Sequence, residues 1–187
     1  MEILTTSLGT RVNVIGTTGS GKTTTAKLLA QRFDLRYIEM DALSWRPNWQ
    51  SVPREEFQRL VDEATQGDGW IIDGNYSDAR AILWPRLDTI VWLDYRFPRV
   101  FSQLLLRTLR RSLTREELWN GCRERLATSF FSRDSILLWC LKTYWRRRRN
   151  YPQVLARPEH AHISVLRFRS PRSFRAWLNS TVPVNEA

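Results

Sequence analysis

Nine residues from Gly16 to Thr24, GTTGSGKTT, set Gly16, Gly21, Lys22 and Thr23 at the spacing G-x-x-x-x-G-K-[ST], with a further glycine at Gly19. That order suits the gripping of a polyphosphate. Glycines open backbone angles closed to other residues, so successive N–H groups along Gly16, Thr17, Thr18, Gly19, Ser20 and Gly21 can converge on phosphate oxygens. Lys22 brings a point charge to the β- and γ-phosphates, and the Thr23 hydroxyl is a hard ligand for Mg²⁺. Thr24 follows in the first helical turn, where unpaired N–H groups and the positive end of the helix dipole favour an anion. The expected ligands are ATP or a similar nucleoside triphosphate, and Mg²⁺.

Such a loop needs a strand to launch it and a helix to close it. Val12, Val14 and Ile15 supply a short apolar strand, and Ala26, Leu29, Ala30 and Phe33 recur at the spacing of one helix face. Further strands are expected at RYIEM (Arg36 to Met40), GWIIDG (Gly69 to Gly74), TIVWLD (Thr89 to Asp94) and HISVLRF (His162 to Phe168). Helices are expected over Pro53 to Ala64, about Pro98 to Arg111, and Pro171 to Leu178, with a long, basic, mostly helical region from Thr114 to Arg149. Strands alternating with helices imply an α/β fold, a parallel sheet covered on both faces, with ligands beyond the carboxyl ends of the strands. Asp41, Asp73 and Asp94 fall at such ends. Asp73, after an apolar run and before Gly74, is the preferred metal carboxylate with Thr23, and Asp94 is its competitor. Asp41 is placed to orient or deprotonate an acceptor hydroxyl. Trp45 and Trp49 flank Pro47 in the next loop, where they could stack on a flat acceptor or fill the core. Gly74 and Asn75 belong with this acceptor side, and Arg80 suits an acceptor anion.

The 187 residues suit one domain with a full core. No apolar run approaches the roughly 20 residues of a membrane span, and the first ten residues carry no secretory pattern, so the cytoplasm is expected. Cys122 and Cys140 form no metal-like pair, and His160 and His162 have no ligand-rich neighbours. The net charge is +10, unevenly spread: residues 1–93 carry 10 Lys+Arg against 12 Asp+Glu, and residues 94–187 carry 19 against 7. Weak, salt-sensitive contact with nucleic acid is expected from such a chain. A nucleic-acid-binding ATPase or regulator is the alternative to a small kinase. No helix-turn-helix, zinc or RNP-like signature supports it, and no N-K-x-D segment marks a GTPase.

The segments GTTGSGKTT, MDALSWRPNW, WIIDGNY, TIVWLDY and NGCRERL, in that order, resemble the adenylate-kinase-like phosphate-loop kinases, and most closely the family of DNA topology modulation proteins. The resemblance runs from about Val12 to Leu178. It implies a five-stranded parallel sheet in the order 2-3-1-4-5, with a helical lid between the fourth and fifth strands at about residues 114–150. It also implies that Asp73 holds Mg²⁺ through water, and that Arg107 and Arg111, one helical turn apart, contact the nucleotide. Arg123, Arg125 and the run Arg146 to Arg149 become lid candidates. Consecutive arginines on a helix point in different directions, so at most two of that run can face one ligand. The expectation is ATP-dependent phosphoryl transfer to a nucleotide, a nucleoside or another small hydroxyl- or phosphate-bearing acceptor.

Overall fold

A computed structural model describes residues 7–114, 117–122 and 135–181. Its centre is a parallel sheet of β1 (Arg11–Gly16), β2 (Arg36–Glu39), β3 (Trp70–Asp73), β4 (Thr89–Leu93) and β5 (Ser164–Phe168), in the spatial order β2-β3-β1-β4-β5. The expected order 2-3-1-4-5 is therefore present. Register places Val14 beside Asp73 and Gly16 beside Leu93, so the loop leaving β1 emerges between the ends of β3 and β4.

Alternation along the central strands divides the core. Val12, Val14, Ile71, Val91 and Leu93 join one buried cluster with α1 (Lys22–Phe33), α5 (Phe97–Thr114), α6 (Ile136–Leu155) and α7 (Pro171–Ser180). Ile15, Ile72, Ile90 and Trp92 join the other, with α2 (Met40–Ser44), α3 (Arg54–Ala64) and α4 (Arg80–Leu83). Neighbouring strand residues point to opposite faces, so both faces of one sheet are apolar. Helix starts follow local chemistry. In α7, Ser170 and Ser173 form a capping box that spans Pro171.

Four elements differ from the sequence reading. Strand β2 stops at Glu39 instead of reaching Asp41, because Met40 turns into the core at 1% exposure and opens α2. Asp41 therefore lies in the first turn of a short helix. The Trp45–Trp49 segment is a two-stranded antiparallel ribbon, Trp45–Arg46 against Gln50–Ser51, with Asn48 and Trp49 in the left-handed region at φ 59° and 60°. Helix α5 is longer than expected at both ends, and α6 continues past the arginine run to Leu155. Part of the expected lid, residues 115–116 and 123–134 with Arg123 and Arg125 among them, lies outside the described residues.

Candidate active site

The loop between β1 and α1 is shaped by its glycines and held from three sides. A side chain at Gly19 (φ +83°) would sit 2.7 Å from both the Leu104 Cβ and the Val100 carbonyl of α5, so the loop lies directly on that helix. Asn75, just after β3, accepts from the Gly16 N–H at 3.0 Å and donates back to the Gly16 carbonyl. The Ser20 N–H donates to the Thr17 carbonyl at 3.0 Å, closing the turn. Cys140 of α6 lies 3.9 Å from the Thr18 carbonyl. Helix α1 then begins with no side-chain cap and no acidic residue in its first turn, so its N-terminal N–H groups carry an uncancelled positive field.

Against this loop stand two carboxylates. Thr23 Oγ1 donates to Asp73 Oδ2 at 2.6 Å, and Tyr37 OH donates to the other Asp73 oxygen at 3.3 Å. Asp73 is buried, which raises its pKa, while Thr23 and Lys22 oppose the rise. A hydroxyl and a carboxylate brought together beside a phosphate loop form the hard-oxygen donor set that Mg²⁺ takes alongside phosphates. The residues fit the metal. Lys22, half-buried, has its ammonium pKa pushed down to about 8 by burial, with the charges of Asp41 and Asp73 holding it up. Both carboxylates are thus electrostatic neighbours of one lysine. The competing Asp94, 4% exposed, is taken up otherwise: Arg167 donates to its Oδ2 at 3.0 and 2.6 Å, and Arg148 lies 3.3 Å from its Oδ1.

Asp41 is held by a residue the sequence reading passed over. Tyr76 OH donates to Asp41 Oδ1 at 2.5 Å and lies 2.6 Å from the Ser44 hydroxyl, and its ring packs against Phe57 of α3. Burial and the Asp41 charge raise the Tyr76 pKa, so this phenol stays a donor. Tyr76 and Tyr37 carried no spacing signal, and only topology brings them to the carboxylates. Gly74 (φ +144°) leaves room for the Met40 side chain beside it. A small hollow of about 10 Å³, room for about one water, is lined by Met40, Gly74, Tyr76, Arg80 and Tyr151. Asn75 also borders it, but its amide is engaged by Gly16. Arg80 lies over the Trp84 ring, 4.5 Å from its centroid.

The structure does not arrange Trp45 and Trp49 as a stacking platform. Their rings meet edge to face at 5.5 Å and 77°, and Trp49 meets Trp119 in the same way at 6.3 Å. Rings so inclined pack on each other and cannot sandwich a planar group between them. Arg111 lies 6.0 Å over the Trp119 ring, while Arg107 is near enough to Lys22 to oppose its protonation. In the run Arg146 to Arg149, Arg147 and Arg148 are half-buried and their neighbours are exposed. Arg148 goes to Asp94, while Arg147, its pKa lowered by burial, acts electrostatically on Lys22 and is acted on by Tyr151 and Tyr76. Cys122 and Cys140 are buried and free, and His162 lies 3.2 Å from the Trp84 carbonyl.

Comparison with known proteins agrees with this geometry. A family model for the ATPase family associated with various cellular activities (AAA) matches residues 12–93. A shikimate kinase of Synechococcus elongatus is 28% identical over 148 residues, covering 68% of this chain and 78% of that protein. Among solved structures, a shikimate kinase from Bacteroides thetaiotaomicron superposes with a TM-score of 0.53 at 14% identity, covering 90% of this chain and 94% of that one. A gluconokinase from Sinorhizobium meliloti gives 0.52 at 14% identity, covering 93% and 92%. Sheet order, loop and superpositions together define the phosphate-loop NTPase α/β fold.

Proposed function

We propose that this protein is a Mg²⁺- and ATP-dependent kinase that transfers a phosphoryl group to a small acceptor. The observation that carries it is two carboxylates acting on Lys22: Asp73, bonded to Thr23, and Asp41, held by Tyr76. A hydrolase needs only the first carboxylate. The second, bonded to Tyr76 and not to Thr23, is free in this reading to serve an acceptor other than water.

In this reading the loop N–H groups and Lys22 grip the triphosphate, and Thr23 and Asp73 hold the metal. Bound Mg²⁺ supplies neutralisation of charge on the phosphates. Asp41 has its Oδ1 bonded to Tyr76, leaving Oδ2 to orient an acceptor hydroxyl and receive its proton as the new P–O bond forms and ADP leaves. Arg80, without a carboxylate partner among the described residues, suits an anionic group on the acceptor. The acceptor class is a nucleotide, a nucleoside or another small hydroxyl or phosphate compound. The segments DALSWRPNW and WIIDGNY support a finer placement, within the adenylate-kinase-like kinases beside the DNA topology modulation proteins. We place the whole chain as one catalytic unit acting in the cytoplasm, with any nucleic-acid contact weak and non-specific.

The test is a screen of small acceptors with γ-labelled ATP and Mg²⁺. An acceptor-dependent labelled product is expected, with shikimate, gluconate and nucleoside monophosphates as first probes. Label released only as inorganic phosphate across a broad acceptor panel would contradict transfer.

A further inference from the structure

Asp94 is a buried carboxylate at the end of β4 that the proposed chemistry leaves unused. It is gripped by two arginines from different elements: Arg167 of β5 at 3.0 and 2.6 Å, and Arg148 of α6 at 3.3 Å. Arg148 also donates to Tyr144 OH at 2.8 Å, and Tyr144 OH donates to the Tyr95 carbonyl at 2.9 Å. Arg167 lies 4.1 Å over the Trp92 ring. The end of the sheet therefore holds α6 at one defined side chain.

Which arginine of the run reaches the phosphates depends on how α6 is rotated, because successive residues on a helix are turned by about 100°. Cys140, which touches the phosphate loop at Thr18, and Arg147 are seven residues apart and share a face. Tyr151, one turn further on, is buried edge-on against Trp92. One step of rotation would exchange Arg147 for an adjacent arginine and withdraw Arg148 from Asp94.

We infer that Asp94 is a positioning residue: by binding Arg148 it fixes the rotation of α6, so that Arg147 alone of the four arginines is presented to the triphosphate and the transferring group. The inference rests on the phosphoryl-transfer reading above. It goes beyond it in giving a buried ion pair, whose members do not line the hollow beside Tyr76, control over one catalytic charge.

The experiment compares Asp94→Asn, Arg148→Met, Arg147→Met and the two double variants with Arg147→Met in the full-length protein. ATP turnover and the affinity for Mg²⁺ with a non-hydrolysable ATP analogue are read, and circular dichroism reports the fold. Arg147→Met should lower turnover on the order of a hundredfold, as loss of one preorganised charge does. Asp94→Asn and Arg148→Met should each lower kcat about tenfold, with little change in KM, as coupled neighbours do. In the Arg147→Met background neither should lower kcat further. Arg148→Lys should recover part of the loss, and the exposed Arg149→Met should behave as wild type.

Multiplicative losses in the double variants would overturn the inference, since a merely structural role does not need Arg147. If Asp94→Asn fails to fold, Arg148→Met decides in the same way, because Asp94 keeps its Arg167 partner there. A wild-type protein that neither binds the analogue nor turns over ATP would refute the kinase reading and this inference with it. Turnover with multiplicative losses would refute this inference alone.

Discussion

At the scale of single residues, Lys22 is placed where its charge is both needed and costly. Burial draws its pKa down to about 8, and a bound triphosphate would pull it back up. Free Lys22 is charged below pH 8, so triphosphate affinity should be flat there. Above pH 8 binding must take up a proton, and affinity should fall toward tenfold per pH unit, the limit for one linked proton. Calorimetric titration in buffers of different ionisation enthalpy would reveal the uptake, and Lys22→Arg should flatten the dependence. Lys22→Ala should keep the fold and lose turnover by orders of magnitude. The two carboxylates should separate by role. Asp73→Asn is expected to raise the Mg²⁺ requirement and depress both hydrolysis and transfer, whereas Asp41→Asn should spare hydrolysis and ATP binding and remove most transfer. Loss of ATP binding in Asp41→Asn, with circular dichroism unchanged, would refute that division.

At the scale of elements, the loop's geometry is set by what packs against it. Gly19 is closed to any side chain both by its backbone angle and by α5, while Gly21 (φ +89°) has no atom within 4 Å of a side chain added there. Gly19→Ala should therefore cost about 1–3 kcal/mol of overpacking in addition to backbone strain, and Gly21→Ala about 1–2 kcal/mol from its backbone alone. Chemical denaturation would give both, and equal losses would mean that contact with α5 does not shape the loop. These positions mark what was readable from the sequence. Strand–loop–helix order and the carboxylates at β3 and β4 were legible, because apolar periodicity and one spaced motif encode them, while the sheet order followed from the resemblance of the ordered segments to a known kinase family. The ends of β2 and α5, the Trp45–Trp49 ribbon and the partners of Asp94 were not. They depend on side chains far apart in sequence, such as Arg148 and Arg167, whose identities alone did not separate a lid arginine from a structural one. Tyr76 is the clearest case: nothing around it distinguishes a core tyrosine from one that holds Asp41.

At the scale of the whole molecule, the excess positive charge of residues 94–187 is put to several uses. Arg148 and Arg167 neutralise Asp94, Arg147 is half-buried, and Arg146, Arg149 and Arg175 are exposed. No helix among the described residues is long and apolar enough to cross a membrane. A surface so charged should bind duplex DNA at low salt and release it by about 0.15 M, where the Debye length is about 8 Å. Fluorescence anisotropy with unrelated duplexes would measure this, and tight, sequence-selective binding at that salt would favour the nucleic-acid alternative. Phosphoryl transfer should persist there, because its charges are enclosed. The most direct test of the central claim is a ³¹P NMR time course of ATP, Mg²⁺ and an acceptor from the screen, run with wild type and with Lys22→Ala. The site described here predicts a new phosphate-ester resonance growing in step with ADP for the wild type and absent for the variant. Growth of inorganic phosphate alone, or equal ester formation by Lys22→Ala, would contradict it.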